Sequence, residues 1–203
     1  MLEERGNVEG AIAVYRQEDV ASTRRYHDPV LLAWLLSRHG RGDEAIAVMC
    51  ALVDSPGGAE DWVVDSLCTL YAEHGRAQEG LAHLDALKEC RGGEEDWDFF
   101  RMRLPLLADC GLFDEAIEQA RAHHEGDTWY AAWSLSDLLA EAGRTEEAVA
   151  FLEQHPTSNS SVLARRLIDL GRIEDAIRVL QNRPNAEPAT DPWDGTYSNK
   201  PPF

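Results

Sequence analysis

The chain has no Cys-x-x-Cys pair. Its four cysteines, Cys50, Cys68, Cys90 and Cys110, fall singly along the 203 residues. A secreted disulfide framework is denser and paired, so these read as reduced thiols of a cytoplasmic protein. Long apolar runs are also missing. No window approaches the roughly 20 residues a membrane span needs. Residues 1–20 carry Glu3, Glu4, Arg5 and Glu9 without an apolar stretch, which argues against a signal peptide. Positive charge is scarce: 19 Lys and Arg stand against 37 Asp and Glu, for a net charge of −18. Such a field repels phosphate backbones and anionic lipid, so neither nucleic acid nor membrane is an expected partner. A basic or apolar protein partner is compatible with it, and the acidic surface also serves solubility.

Motifs of chemistry are missing as well. There is no Gly-x-Gly-x-x-Gly, no Gly-x-x-x-x-Gly-Lys-Ser/Thr, no Gly-x-Ser-x-Gly and no His-Glu-x-x-His. No catalytic residue, cofactor or metal site is expected. His39 and His74 precede repeated glycines, where a helix C-terminus favours them. His123 and His124 read as neighbours on a helix, with rings about 100° apart that do not easily share a metal. The run Glu94-Glu95-Asp96-Trp97-Asp98 lacks the order of a calcium loop and reads as a solvated turn before a helix.

What is present is repetition. Gly40-Arg41-Gly42-Asp43-Glu44-Ala45-Ile46 returns as Gly143-Arg144-Thr145-Glu146-Glu147-Ala148-Val149 and as Gly171-Arg172-Ile173-Glu174-Asp175-Ala176-Ile177. Gly111-Leu112-Phe113-Asp114-Glu115-Ala116-Ile117 is another copy, Gly75-Arg76-Ala77-Gln78-Glu79-Gly80-Leu81 a looser one, and Gly6-Asn7-Val8-Glu9-Gly10-Ala11-Ile12 opens the series. Successive glycines lie 34, 35, 36, 32 and 28 residues apart. Apolar residues before and after each glycine recur at helical spacing. The glycine predicts a left-handed cap on the first helix. The acids that follow belong in the first turn of the second, where the dipole favours them. Each unit is a helix, a tight turn and a helix.

Five residues past each glycine stand Ala11, Ala45, Gly80, Ala116, Ala148 and Ala176, small enough for two helices to cross closely. Seven before it come Ala33, Cys68, Leu104, Ser136 and Ala164, and four before it Leu36, Tyr71, Leu107, Leu139 and Leu167. On these positions the chain resembles the tetratricopeptide repeat family over residues 1–182. The resemblance implies an all-α, right-handed α-solenoid of about five and a half antiparallel helix pairs. The family's early Trp is mostly missing, with Phe100 in its place in one repeat, and Gly57 and Gly92 replace its closing proline. Pro105 falls inside a first helix and is expected to kink it. The final 28-residue step predicts shortened helices. Asp28-Pro29, Asp96 and Asp127 or Thr128 are expected helix starts. Only five residues precede Gly6, so the first unit reads as a half-repeat or as the continuation of a longer array.

Residues 183–203 form a separate Pro-rich tail, expected to be extended and non-helical. It carries Trp193, Tyr197 and Phe203, which suit contacts along the solenoid or in a neighbour's groove, or else belong to a plain terminus.

The resemblance further implies that first helices line a concave face that receives a protein or peptide. By repeat phase that face holds His27, Trp34 and Arg38; Trp62, Asp65, Thr69 and Glu73; Arg101; Tyr130, Trp133 and Asp137; and Arg165. The tryptophans equally suit packing between repeats. The family's lysine-and-asparagine clamp for a C-terminal carboxylate has Val30 and Trp34, Asp65 and Thr69, and Trp133 and Asp137 in its places, which argues against that ligand. The reading is a non-enzymatic binding scaffold. The alternatives are a peptide-sensing regulatory module and a self-associating protein, a homo-oligomer through its tail.

Overall fold

The turn glycines set the architecture. In the computed structural model, which describes residues 9–10, 27–154 and 159–182, Gly40, Gly75, Gly111, Gly143 and Gly171 all have φ between 67° and 76°. Any side chain there is strained, which is why glycine recurs. Each ends its helix with the same two bonds. Gly40 N–H donates to Ser37 O (3.0 Å), and Arg41 N–H to Leu36 O (2.9 Å). The other four turns repeat both, satisfying carbonyls that a helix C-terminus would otherwise orphan.

Helices are the regular secondary structure of the described residues, with no strand among them. They fall into two compact units, Met1–Asp127 and Thr128–Phe203. In the first unit α1 (His27–Arg38) pairs with α2 (Gly42–Val53), and α3 (Asp61–Glu73) with α4 (Ala77–Cys90). A split first helix follows, α5 (Trp97–Phe100) and α6 (Arg103–Asp109), before α7 (Phe113–Ala122). In the second unit α8 (Trp129–Glu141) pairs with α9 (Thr145–Leu152), and α10 (Ser160–Asp169) with α11 (Ile173–Gln181). At 8 residues α9 is much shorter than the 14-residue α4, which accounts for the 28-residue step.

The small positions are where paired helices touch. Ala45, Ala116 and Ala148 are fully buried, and so is Ala33 on the first-helix side. At Gly80 an added Cβ would lie 2.9 Å from Leu106 Cδ1 and 3.1 Å from Tyr71 Cβ. The first unit's core runs from Val30 through Leu36, Met49, Val64, Leu67 and Leu84 to Leu106. The second gathers Ala132, Val149, Leu152, Leu163, Leu167 and Ala176.

Pro105 breaks its helix where its chemistry requires. Lacking an N–H, it leaves Arg101 O without an α-helical donor. The gap between α5 and α6 falls at Arg101–Met102, bridged by shorter-range bonds from Met102 N–H to Phe99 O and Leu104 N–H to Arg101 O. Asp96 caps α5, accepting from Phe99 N–H at 2.9 Å, and Thr128 caps α8, accepting from Ala131 N–H at 3.3 Å. Asp28 is not a cap: α1 begins at His27, placing Asp28-Pro29 inside the first turn, where proline's missing donor is still tolerated.

Candidate functional site

In the first unit the first helices lie side by side, and polar contacts mark the face they share. Ser37 Oγ on α1 donates to Glu73 Oε2 on α3 (3.3 Å) and lies 2.9 Å from His74 Nε2. Asp65 on α3 lies 3.6 Å from Arg101, whose Nε donates to Asp98 at 3.4 Å. Trp62, Asp65, Thr69 and Glu73 lie three or four residues apart, one stripe of α3.

Trp62 is 41% exposed, an unusual state for so large an apolar surface. Its Nε1–H donates to Glu60 at 2.7 Å, which holds the ring in place. Thr69 is exposed and its Oγ1 donates to Asp65 O within the helix, so the hydroxyl is used locally. Arg38 is exposed at the end of α1. Trp34 is only half-buried and packs against the core cluster. The side chain of His27 lies outside the described residues, as do Trp193, Tyr197 and Phe203.

The second unit has its own face. Tyr130, Trp133 and Asp137 form a stripe on α8, with Trp133 52% exposed. Trp129, 53% exposed, stands edge-on to Tyr130 with ring centroids 5.6 Å apart. Trp129 was not visible as a site residue from repeat phase, although its place after the Thr128 cap marks the first helical turn. The arginine that meets α8 is Arg166 rather than its neighbour Arg165, which is exposed. Arg166 donates to Asp137 and, at 3.2 Å, to Ser136 Oγ, with a third bond to Asp169 at 3.1 Å.

These faces present indole rings beside guanidinium–carboxylate pairs, which is the chemistry of recognition. Two groups with marked shifts lie in the core. Burial pushes the Cys68 thiol up to about 12, and Tyr71 is pushed up by burial and by its contact with Cys50. A thiol held protonated is a poor nucleophile.

Two expectations are corrected. His123 and His124 do not share a helix, because α7 ends at Ala122 and His123 has extended backbone (φ −63°, ψ 141°). Their rings come within 4.4 Å, centroid to centroid. Glu95 is not solvated either. Its side chain is 8% exposed, bonded to Lys88 at 2.6 Å and 3.6 Å from Arg103.

Sequence comparison agrees with this geometry. Residues 103–161 match a family model described as tetratricopeptide repeat, and residues 160–182 match a second with the same description. Residues 103–182 are thus tetratricopeptide repeats. No curated protein matches the chain. Tetratricopeptide repeats generally mediate protein–protein interaction. The acidic first turns, left-handed glycines and close Ala contacts belong to the repeat itself. Trp62, Arg101, Trp129, Trp133 and Arg166 belong to this chain.

Proposed function

We propose that the protein is a non-enzymatic scaffold that binds a protein or peptide through the exposed faces of the first helices within each unit. The observation that carries this reading is the pair of exposed indoles, Trp62 and Trp133, at 41% and 52%. Both lie on stripes that also bear carboxylates. Burying such a ring against a partner removes a large apolar area from water, and Trp is among the residues that dominate interface energies. With a net charge of −18, a partner carrying basic residues among its apolar anchors fits best. The free thiols of Cys50, Cys68, Cys90 and Cys110 suit a reducing, cytoplasmic setting.

Affinity capture from native lysate with wild-type protein and with a Trp62→Ala/Trp133→Ala double variant tests this. A protein retained by the wild type and lost by an equally stable double variant supports the reading. Equal retention by both sinks it.

Self-association is a second reading with an observation behind it. Ile173, Ile177 and Leu180 form a stripe along α11, each between 46% and 50% exposed. A second copy or the chain's own residues 183–203 would find apolar surface there. Light scattering on a chain ending at residue 183 separates this from the scaffold reading, since an unchanged mass would remove the tail as the link.

A further inference from the structure

The segment that ends α7 brings three metal-ligating side chains together. His123, His124 and Glu125 follow one another in a turn, and a nitrogen or carboxylate oxygen of each lies within 4.8 Å of those of the others. In a helix, successive side chains diverge by about 100°. The extended backbone at His123 removes that constraint.

Two of the three donors, His123 and Glu125, are held by their surroundings. The His123 ring stacks on Phe100 with centroids 4.6 Å apart, and meets Trp97 edge-on at 5.4 Å. Its Nδ1 accepts from Glu125 N–H at 3.2 Å, so Nε2 carries the proton and donates to Glu95 O, also at 3.2 Å. An imidazole whose far nitrogen donates to a backbone carbonyl is in the tautomer and orientation that metal-binding histidines adopt. The lone pair it presents, on Nδ1, faces Glu125. The Glu125 carboxylate is oriented too, since Oε1 accepts from Trp97 N–H at 3.1 Å.

One of the three spacings matches a small tetrahedral ion, and the others lie within 4.8 Å. Two ligand atoms about 2.1 Å from such an ion are about 3.4 Å apart. His124 Nε2 and Glu125 Oε1 are 3.4 Å apart. The two histidines also form one wall of a cavity of about 640 Å³ lined by Glu94, Glu95 and Asp96. Lys88 lines it as well, but is already paired with Glu95. Carboxylates therefore outnumber cations around the cluster and raise the local concentration of a dication.

We propose that His123 Nδ1, His124 Nε2 and Glu125 Oε1 bind a divalent transition-metal ion of the zinc class. Two imidazoles and a carboxylate suit zinc, cobalt or nickel better than calcium or magnesium, which prefer oxygen throughout. Binding gives up the 3.2 Å bond from Glu125 N–H to Nδ1 and ties the end of α7 to the start of α5 through the bond from His123 to Glu95. The site is independent of the partner-binding faces, so its failure would leave the scaffold reading untouched.

The test is titration of untagged protein with Zn²⁺ by calorimetry, with Co²⁺ as a spectroscopic probe. The expected result is saturable binding of one ion per chain, a tetrahedral cobalt spectrum without a thiolate-to-cobalt band, and a higher melting temperature with zinc. His124→Ala and Glu125→Gln should each weaken binding about tenfold or more. His124 is exposed, with 71% of its side chain accessible, and Gln keeps the oxygen that accepts from Trp97, so both variants should fold. A thiolate band, no saturable binding, or unchanged affinity in His124→Ala would overturn the proposal.

Discussion

Arg76 reaches back 33 residues to Asp43, with Nη1 3.0 Å from Oδ1, while its Nε and Nη2 grip Glu79 of its own repeat at 2.7 and 2.5 Å. Arg41 does the same one turn earlier, holding Glu44 through Nε and Nη2 and Glu9 through Nη1 at 3.0 Å. Arg41 and Arg76 are thus forks. One side of each closes the first turn of the second helix, and the other ties that turn to the preceding one.

The fork raises the Arg76 guanidinium above its ordinary range and lowers the Glu79 carboxyl, each mainly through their mutual hydrogen bond. The acid side is the one that titrates. A lowered carboxylate stabilises the fold above its unfolded value and stops doing so as pH falls through the folded one. Because the carboxylates lie in solvent, screening is strong. Arg76→Ala should lower the melting temperature slightly at low salt. The difference should vanish near 1 M salt, where the Debye length is about 3 Å. Paired thermal melts at the two ionic strengths check this.

Gly80→Ala tests the helix crossing. Alanine improves helix propensity by about 1 kcal/mol. Against that, its Cβ would lie 3.1 and 3.2 Å from Tyr71 Cβ and Cδ2 and 2.9 Å from Leu106 Cδ1. Overpacking of this kind costs about 1–3 kcal/mol. The substitution should therefore destabilise by about 1 kcal/mol in urea denaturation, although the same change on an open helix face stabilises.

Cys68 predicts the alkaline limb of stability. Burial raises its folded value from 9.0 to about 12, so the folded state keeps a proton that the unfolded state gives up. Its contribution is complete below about pH 9 and declines as pH rises toward 12. The slope is about 1 kcal/mol per pH unit in that window. Tyr71 adds in the same direction from its ordinary value of 10.0 upward. Cys68→Ala should flatten the loss without abolishing it, as urea denaturation at stepped alkaline pH will show. In the folded protein, Cys90, which is exposed, should react with a thiol reagent well before Cys68.

The turns were readable because each rests on a local rule. Glycine at φ near 75°, acids in a first turn and Ala at a crossing all act within a few residues, so six copies in phase made them plain. The break before Pro105 was readable for the same reason. The arginine fork was not. Arg recurs in Gly40-Arg41, Gly75-Arg76, Gly143-Arg144 and Gly171-Arg172, but its reach to Asp43 exists only once two repeats are stacked. Arg165 and Arg166 show the limit of repeat phase, since neighbours on a helix point about 100° apart and only Arg166 meets Asp137. The histidine pair was misjudged because no glycine or proline marks the end of α7 at Ala122. The helical pattern there simply stops, and Gly126 arrives too late to locate it.

The exposed tryptophans test the central claim, and Trp97 is the control. Trp97 is 3% exposed in the core of the first unit, so Trp97→Ala should cost about 3–5 kcal/mol of stability. Trp62 and Trp133 should behave in the opposite way. The most direct measurement is the affinity of Trp62→Ala and Trp133→Ala for the captured partner, taken alongside their melting temperatures. The predicted result is binding weaker by roughly 1–4 kcal/mol in at least one variant, with both melting within a degree or two of the wild type. Unchanged affinity in both, with a melting temperature lowered as for a core residue, would contradict it.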